Sequence, residues 1–363
     1  ATRRSTRDAA RAPRHGQGEE EEGIDMRAAV LTGLRSIEIR DIPPPQPRND
    51  EVRVKVAAVG ICGSDLHNFT EGSTTGPRAI EPLVLGHEFS GVVTPDIADR
   101  VGMEPGTIVA IDPARPCGVC EWCHRGETNL CPDVRFLGYP PNDGAMAEFV
   151  AVPPETLHAL PPGMDATTGV LLETLGVALH AIDLAKIRMG ESVAVLGCGP
   201  VGLLVARLAR LAGAGQVIAV DPLAYRHAIA VSMGADAGLG SHREVPGATG
   251  GRGVDLVVEA TDSASGFDHA TRCARIGGRV VMVGIPEGNS YTIAASEARR
   301  RGLGVKFARR MPEIYPRAIA LAASGRLDMS PIATHHFALH ETPRAFAMQA
   351  AREDGIVKAI IRP

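Results

Sequence analysis

The sequence predicts an α/β protein of two domains, a β-barrel-like domain followed by a doubly wound parallel sheet. Three observations support this fold class. The chain has 363 residues, which is long for one domain and enough for two with sizeable cores. Short β-rich runs broken by glycine and proline fill the first half, and strands alternate with helices in the second half. Such alternation is typical of a parallel sheet with crossover helices.

The first domain is predicted to span residues 26 to 177. Apolar and β-branched runs occur at Glu51 to Val59, Phe89 to Val93 and Ile108 to Ile111, and each is bounded by glycine, proline or polar residues. The segments between them are long. We therefore expect a small barrel with extended loops.

The second domain is predicted to span residues 178 to 311. Here apolar runs of strand length alternate with segments of helical periodicity. The expected elements are a strand from Ser192 to Leu196, a helix from Val201 to about Leu211, a strand from Gln216 to Val220, a helix from Leu223 to Met233, and strands from Val254 to Glu259 and Arg279 to Gly284. This order predicts a parallel sheet covered by helices.

The two ends of the chain differ from these domains. Residues 1 to 25 are rich in arginine and glutamate with almost nothing apolar to bury, which predicts a disordered tail. An expression leader and a weak organelle-targeting segment both stay open, although Asp8 argues against an amphipathic transit helix. Residues 312 to 363 are expected to return to the first domain, with a helix from Pro312 to Ser324 and a strand from Gly355 to Ile361.

The composition narrows the class of partner. Hydrophobic residues make up 44% of the chain and the net charge is −4, so the strong bias of nucleic-acid-binding or disordered proteins is missing. No uninterrupted apolar stretch reaches the roughly 18 to 20 residues that span a bilayer. We expect a small-molecule substrate, no nucleic-acid or membrane partner, and a cytoplasmic location.

Four cysteines form the strongest single motif. Cys117, Cys120, Cys123 and Cys131 lie within fifteen residues, and four thiolates from one short lobe can surround one ion tetrahedrally. Disulfides or scattered free thiols would be the alternative, but a reducing compartment makes both unfavourable. The spacing predicts a closed zinc site that fastens a loop and leaves no position for a substrate.

A glycine-rich turn follows the first strand of the second domain. The segment Gly197-Cys-Gly199-Pro200-Val201-Gly202 connects a hydrophobic strand directly to a helix, which is the context of a dinucleotide-binding turn. Its glycines permit a tight turn and a close approach of the backbone to a pyrophosphate, whose charge the N–H groups at the helix start can receive. Glycines in such turns can also be mere packing devices.

An acidic residue after the next strand bears on which nucleotide is preferred. Asp221 follows Gly202 by nineteen residues and comes directly after the predicted strand Gln216 to Val220. A carboxylate at that position accepts hydrogen bonds from the ribose hydroxyls and repels a 2′-phosphate, so NAD is favoured over NADP. Arg226 lies close enough in sequence to keep NADP open.

A third set of residues is dispersed: Cys62 in Gly60-Ile-Cys62-Gly63-Ser64-Asp65-Leu-His67, His87 and Glu88 after Gly86, and Glu173 in Leu171-Leu-Glu173-Thr-Leu-Gly176. Each alone is explained by burial, a loop hydrogen bond or a helix start. Together with the two other motifs, however, the chain resembles the zinc-dependent medium-chain dehydrogenase/reductase family over residues 26 to 363. That family combines a GroES-like β-barrel catalytic domain with a Rossmann domain, and its active site lies in the cleft between them.

The resemblance implies the site residues. Cys62, His87 and Glu173 would hold a catalytic zinc with a fourth position open, so the protein would bind two zinc ions per chain besides NAD. Ser64 and His67 are similar to the family's relay that carries the released proton to solvent. Glu88 would lie in reach of the metal or its water.

Within the family, the sorbitol and xylitol dehydrogenase branch is the most similar. Its features here include Gly63-Ser64-Asp65-Leu-His67, Phe136 ahead of Pro140, and the glutamate at the third ligand position. Phe136 and Arg309, or its neighbour Arg310, would then contact the substrate. The chain departs from this branch where Asn68, Phe69 and Thr174 replace the usual Tyr, Trp and Pro.

Other activities and the assembly stay open at this stage. A threonine-type, sugar-acid or cyclitol dehydrogenase would have the same architecture, and a non-catalytic dinucleotide-binding relative is a further alternative. By the same resemblance, a homodimer or homotetramer is expected. It would form through the strands predicted at Val280 to Gly284 and Leu303 to Phe307.

Overall fold

A computed structural model describes residues 25–74 and 81–363. Apart from Asp25, the predicted tail of residues 1 to 25 lies outside the described residues. The strands and helices of the first part of the chain are β1 Met26–Gly33, β2 Ser36–Ile42, β3 Val52–Gly60, α1 Gly63–Glu71, β4 Leu83–Val84, β5 Glu88–Val92, α2 Pro95–Val101, β6 Ile108–Ile111, β7 Ala114–Arg115, α3 Glu121–His124, β8 Arg135–Phe136, β9 Phe149–Val152, β10 Leu157–Ala159 and α4 Ala166–Ala185.

The remaining elements alternate as the sequence predicts. They are β11 Ser192–Leu196, α5 Pro200–Leu211, β12 Gln216–Val220, α6 Ala224–Ser232, β13 Ala237–Leu239, α7 Val245–Ala248, β14 Val254–Glu259, α8 Gly266–Cys273, β15 Ala274–Met282, α9 Ala295–Arg301, β16 Gly304–Phe307, α10 Tyr315–Ala323, β17 Ala333–Ala338, α11 Thr342–Ala351 and β18 Lys358–Arg362.

The first domain is built on a sheet with the order β10-β6-β5-β3-β18-β17, to which β9 adds by pairing with β3. A smaller sheet has the order β2-β1-β4, and β7 pairs with β8. The last strand of the chain, β18, runs antiparallel to β3 and places Ile360 opposite Gly60. The chain therefore returns after the second domain to complete the sheet of the first.

The second domain is a six-stranded parallel sheet with the order β13-β12-β11-β14-β15-β16. The order reverses beside β11, as in a doubly wound dinucleotide-binding sheet. The predicted fold class is confirmed. Strand β15 begins at Ala274, earlier than predicted, because a register shift after Val254 brings Ala274 into the sheet before Arg279 pairs with Leu256.

Helix α4 joins the two domains. It packs against α5 and α10 of the second half and against β5 and β6 of the first. By length and composition, α4 is apolar enough to cross a membrane, but two thirds of that stretch is buried inside the protein. Its apolar character therefore belongs to a core helix, and this helix brings Glu173 into the interior.

Candidate active site and metal centres

The four lobe cysteines converge as predicted. Their Sγ atoms all lie within 4.8 Å of one another, with 3.5 Å between Cys120 and Cys123 and 4.0 Å between Cys117 and Cys123. An ideal tetrahedron with Zn–S bonds of about 2.3 Å has edges of about 3.8 Å. The spacing of these sulfur atoms therefore fits one zinc ion.

Local backbone structure holds the lobe in this shape. Cys120 precedes α3, and Cys131 is fully buried and accepts a hydrogen bond from the N–H of Cys117 at 3.3 Å. A hydrogen bond from the backbone N–H of Val119 is the largest of the influences that lower the pKa of Cys117 to about 7. Backbone donors aimed at a sulfur atom stabilise the thiolate that a metal requires. The donor set therefore fits the predicted structural zinc.

A second cluster forms where α1 meets the segment before β5. Asp65 is 1% exposed and joins the two segments, because one carboxylate oxygen accepts from the N–H of Cys62 at 3.0 Å and the other lies 3.4 Å from His87 Nδ1. A carboxylate on Nδ1 orients the ring so that Nε2 is available to a ligand. Nε2 of His87 lies 3.3 Å from the hydroxyl of Ser64.

The charges around His87 favour a cation. Burial lowers the pKa of His87, but Asp65 and the thiol of Cys62 overcome that effect and raise the pKa well above its usual value. Negative groups around a buried imidazole stabilise positive charge at this position. A metal ion bound at Nε2 would supply that charge.

Glu173 completes the cluster from helix α4. It is 6% exposed, and no described residue donates a hydrogen bond to its carboxylate. Burial raises the pKa of Glu173 to about 7, with a further contribution from Glu88, while His87 acts in the opposite direction. A buried carboxylate without a donor is costly unless a cation pairs with it.

The three predicted ligands fit zinc by their chemistry, since thiolate, imidazole and carboxylate are its usual donors. They are more widely spaced than the lobe cysteines, which form the only group of potential ligand atoms within 4.8 Å of one another among the described residues. The assignment of Cys62, His87 and Glu173 as catalytic ligands therefore stays a prediction, supported by the burial of His87 and Glu173 and by the negative groups, Cys62 among them, that surround His87.

Glu88 has two partners in the interior. Its Oε2 forms an ion pair with Lys358 of β18, and its Oε1 accepts from the hydroxyl of Thr174 at 3.1 Å. Burial alone would lower the pKa of Lys358, but the carboxylate of Glu88 raises it. Both oxygens of Glu88 are engaged, so its predicted role toward the metal or its water stays a prediction.

Ser64 and His67 lie three residues apart on α1, a spacing that places side chains on one face of a helix. The hydroxyl of Ser64 contacts His87, whereas Nδ1 of His67 contacts Glu71 at 2.9 Å. The two groups do not contact each other directly. The relay between them stays a prediction.

Two side chains border this cluster on the side of the lobe. The ring of Phe136 lies 5.1 Å from the ring of His87, and the guanidinium of Arg310 lies 5.0 Å above Phe136. Arg309 is exposed, and its carbonyl accepts from Asn129. The structure thus places Arg310, in the left-handed conformation at φ 50°, rather than Arg309, beside the candidate site.

The glycine turn has the form that the sequence predicts. Gly197 has φ 89°, and a Cβ at this residue would lie 2.6 Å from the carbonyl oxygen of Ala260. A Cβ at Gly202 would lie 2.9 Å from the carbonyl carbon of Gly197 and would overlap its oxygen, so Gly202 allows the helix to approach the turn. A Cβ at Gly199 would meet nothing within 4 Å. That open space beside the helix start, where Pro200 and Val201 begin α5, fits a pyrophosphate.

Asp221 lies beside this turn. Its carboxylate is 5% exposed and accepts from the backbone N–H groups of Cys198 and Leu223. Arg226 donates to the hydroxyl of Tyr225 at 3.0 Å, and its Nη2 lies 3.4 Å from the carbonyl of Ile356. The guanidinium of Arg226 is therefore engaged at the junction with the C-terminal segment.

Comparisons with known proteins agree with this geometry. Residues 48–162 match the alcohol dehydrogenase GroES-like domain, and residues 200–324 match the zinc-binding dehydrogenase family. Sorbitol dehydrogenase from Bacillus subtilis (strain 168) is 32% identical over 344 residues, which cover 93% of this chain and 98% of that protein. The chain belongs to the zinc-binding alcohol dehydrogenase family.

Solved structures show the same family likeness. An oxidoreductase/dehydrogenase of unknown specificity from Escherichia coli superposes with a TM-score of 0.85 at 32% identity, covering 93% of this chain and 99% of that chain. A protein from Sinorhizobium meliloti 1021, solved with NADP bound, superposes with a TM-score of 0.81 at 34% identity, covering 93% of this chain and 99% of that chain. The predicted combination of a GroES-like domain with a dinucleotide-binding sheet is thereby confirmed.

The family fold also contains residues that sequence reasoning did not assign to the site. Asp65 belongs to the segment around Cys62, and its position three residues after Cys62, on the first turn of α1, is typical of a carboxylate that caps a helix start. Lys358 stands alone in an otherwise apolar strand, which signals a buried ion pair but does not identify the partner.

Proposed function

We propose that this protein is a zinc-dependent dehydrogenase that transfers hydride from a secondary alcohol of a polyol or sugar-like substrate to NAD. The observation that carries the proposal is the buried Glu173 carboxylate, which lies close enough to His87 to interact with its charge and accepts no hydrogen bond from a described residue. Three donors of this kind leave one coordination position for a substrate oxygen, as catalytic zinc sites require.

When bound, zinc supplies Lewis acidity that lowers the pKa of a substrate hydroxyl, and NAD supplies the hydride acceptor. The residues of the chain bind and orient these groups. Asp65 aligns His87 and fixes the start of α1. The Ser64 hydroxyl, beside His87, can take up the proton that leaves the substrate as it gives its own proton toward His67, which can pass that proton to solvent.

The side chains of Phe136 and Arg310 support a substrate with several polar groups. Phe136 offers an apolar surface beside His87, and the guanidinium of Arg310 offers charged donors above that ring. Hydroxyl groups of a polyol fit these donors. A carboxylate fits them better, so Arg310 favours a sugar acid as the second candidate substrate; threonine-type and cyclitol substrates are further outcomes of a screen.

The polar groups near the glycine turn favour NAD over NADP. Asp221 would place a negative charge next to a 2′-phosphate, and the guanidinium of Arg226 is engaged with Tyr225 and Ile356. The NADP-bound relative from Sinorhizobium meliloti 1021 makes a direct comparison of both nucleotides necessary.

An exposed sheet edge supports the predicted homodimer. Strand β16 is the last strand of the parallel sheet, and Phe307 on it is 60% exposed. Unpaired edge strands with exposed apolar side chains favour pairing with a second copy. A dimer or a dimer of dimers, and a cytoplasmic location, remain our predictions.

A substrate screen tests the activity. Purified enzyme with its zinc content measured would be offered xylitol and sorbitol first, then sugar acids, L-threonine and cyclitols, with NAD or NADP, and reduction would be followed at the nucleotide absorbance. We expect NAD reduction with a polyol or a sugar acid. Failure of every alcohol in enzyme that holds about two zinc ions would contradict the proposal.

Adjacent arginines provide a matched control for the substrate site. Arg310→Gln should lower kcat/KM by about 10-fold to 100-fold, as expected for the loss of one or two charged hydrogen bonds. Arg309→Gln, one residue away and exposed, should stay within twofold of the wild type. Equal effects of the two substitutions would remove Arg310 from the substrate site.

A further inference from the structure

Glu71, at the end of α1, contacts both His67 and the second domain. Its Oε1 lies 2.9 Å from Nδ1 of His67, one turn earlier on α1. The side chain of His67 is 10% exposed and that of Glu71 is 25% exposed, so this contact is partly buried. An ionised carboxylate has no proton to donate. If the carboxylate is the acceptor of this contact, Nδ1 of His67 carries the proton and Nε2 of the neutral ring is left as the acceptor.

The second oxygen of Glu71 contacts the other domain. Oε2 accepts from the backbone N–H of Gly288 at 3.3 Å. Gly288 has φ 69°, the left-handed region that favours glycine, and it lies in the short loop after β15. Glu287 anchors this loop by donating its N–H to the carbonyl of Asp262 at 2.8 Å. Glu71 thus connects His67 to the dinucleotide-binding domain.

We propose that Glu71 is a positioning residue that holds His67 in the Nδ1–H form. Because Glu71 also contacts Gly288 of the other domain, the tautomer of His67 would depend on how closely the two domains approach each other. This inference rests on the proposed function. In the Nδ1–H form, His67 can take at Nε2 the proton that the Ser64 hydroxyl passes on from the substrate. The resulting imidazolium is stabilised by the carboxylate of Glu71 until it loses a proton to solvent. One proton enters the ring and one leaves it.

A simple surface pair on a helix does not explain these contacts. Exposed pairs four residues apart contribute only about 0.2 to 0.5 kcal/mol and fix no particular tautomer. Here the imidazole is nearly buried, and the carboxylate is held from both sides by His67 and by Gly288. The same arrangement, a carboxylate on the far nitrogen of a histidine that receives protons, orients the ring in hydrolase triads.

Glu71→Gln tests the proposal, since an amide can present either its oxygen or its NH2 group to Nδ1. Nitrogen NMR of the histidine rings would report the tautomer, and the signal of His67 among the twelve histidines would be assigned with His67→Asn. Turnover would be measured with the best substrate of the screen. Glu297→Gln is the matched control, because Glu297 also pairs with a residue four positions away on a short helix.

We expect the wild type to show the Nδ1–H form alone and Glu71→Gln to show a mixture. kcat should fall about 10-fold with KM for NAD within twofold, and Glu297→Gln should change neither quantity. A pure Nδ1–H form in Glu71→Gln together with unchanged kcat would overturn the proposal. If the wild type oxidises no alcohol, the proposed function fails, and the NMR comparison still decides whether Glu71 sets the tautomer of His67.

Discussion

The glycine turn can be tested by substituting alanine at two glycines three residues apart, because one substitution should change stability and the other cofactor binding. An alanine at Gly202 would place its Cβ 2.9 Å from the carbonyl carbon of Gly197 and into the oxygen beside it, so the turn or helix α5 must move. An alanine at Gly199 would meet nothing within 4 Å, and φ −70° with ψ −177° suits any residue. Gly202→Ala should therefore affect folding, and Gly199→Ala should affect cofactor binding.

The expected magnitudes follow from these contacts. Forcing a methyl group into packed backbone costs about 3 kcal/mol. Gly199→Ala should leave the free energy of unfolding within about 0.5 kcal/mol, or raise it slightly, because alanine reduces the entropy of the unfolded chain. Its methyl group fills the space of the pyrophosphate, and we expect a loss of about 10-fold to 100-fold in NADH affinity, or about 1.4 to 2.8 kcal/mol.

Two measurements separate the variants. Urea unfolding without nucleotide, at one protein concentration, compares stability; NADH titration followed by nucleotide fluorescence compares affinity. Gly202→Ala should unfold at lower urea, and Gly199→Ala should unfold with the wild type but bind NADH weakly. Wild-type affinity in Gly199→Ala would refute the assignment of this space to the pyrophosphate, and wild-type stability in Gly202→Ala would refute the packing argument.

Two further predictions concern buried carboxylates. Glu173→Ala should lose about one of two zinc ions by elemental analysis and abolish turnover while NADH binding survives; full activity would remove Glu173 from the ligand set. Glu259 is fully buried, and burial raises its pKa from 4.5 to about 7. With a raised pKa in the folded state, the protonated carboxyl of Glu259 stabilises the fold fully below pH 4.5, and this contribution is lost as the pH rises through 7. The free energy of unfolding of Glu259→Gln, measured by urea unfolding, should therefore rise by about 3 kcal/mol relative to the wild type between pH 4.5 and 8. An unchanged difference across this range would show that Glu259 is ionised in the fold.

The parts of the site that lie within one short segment were predictable from sequence. The four lobe cysteines and the glycine turn are held by neighbours in the chain, so their spacing alone specifies which atoms meet. The alternation of strands and helices likewise predicted the parallel sheet, because crossover connections leave few other arrangements.

The candidate catalytic zinc ligands could be assigned only through the resemblance to the family. Cys62, His87 and Glu173 come from three separate elements, and each has an ordinary structural explanation by itself. The choice between Arg309 and Arg310 was also beyond the sequence. Adjacent side chains point in different directions, and the left-handed backbone at Arg310 decides which of them lies above Phe136.

The sequence alone thus determined the class of fold, the closed zinc lobe and the nucleotide turn. Only the tertiary structure decided the partners of the buried Glu88 and of the partly exposed Glu71. Glu88 pairs with Lys358, 270 residues away, and Glu71 meets Gly288 across the domain junction. Such pairs form because burial makes an unpaired charge costly, and the fold, not the local sequence, determines which opposite charge or donor is within reach.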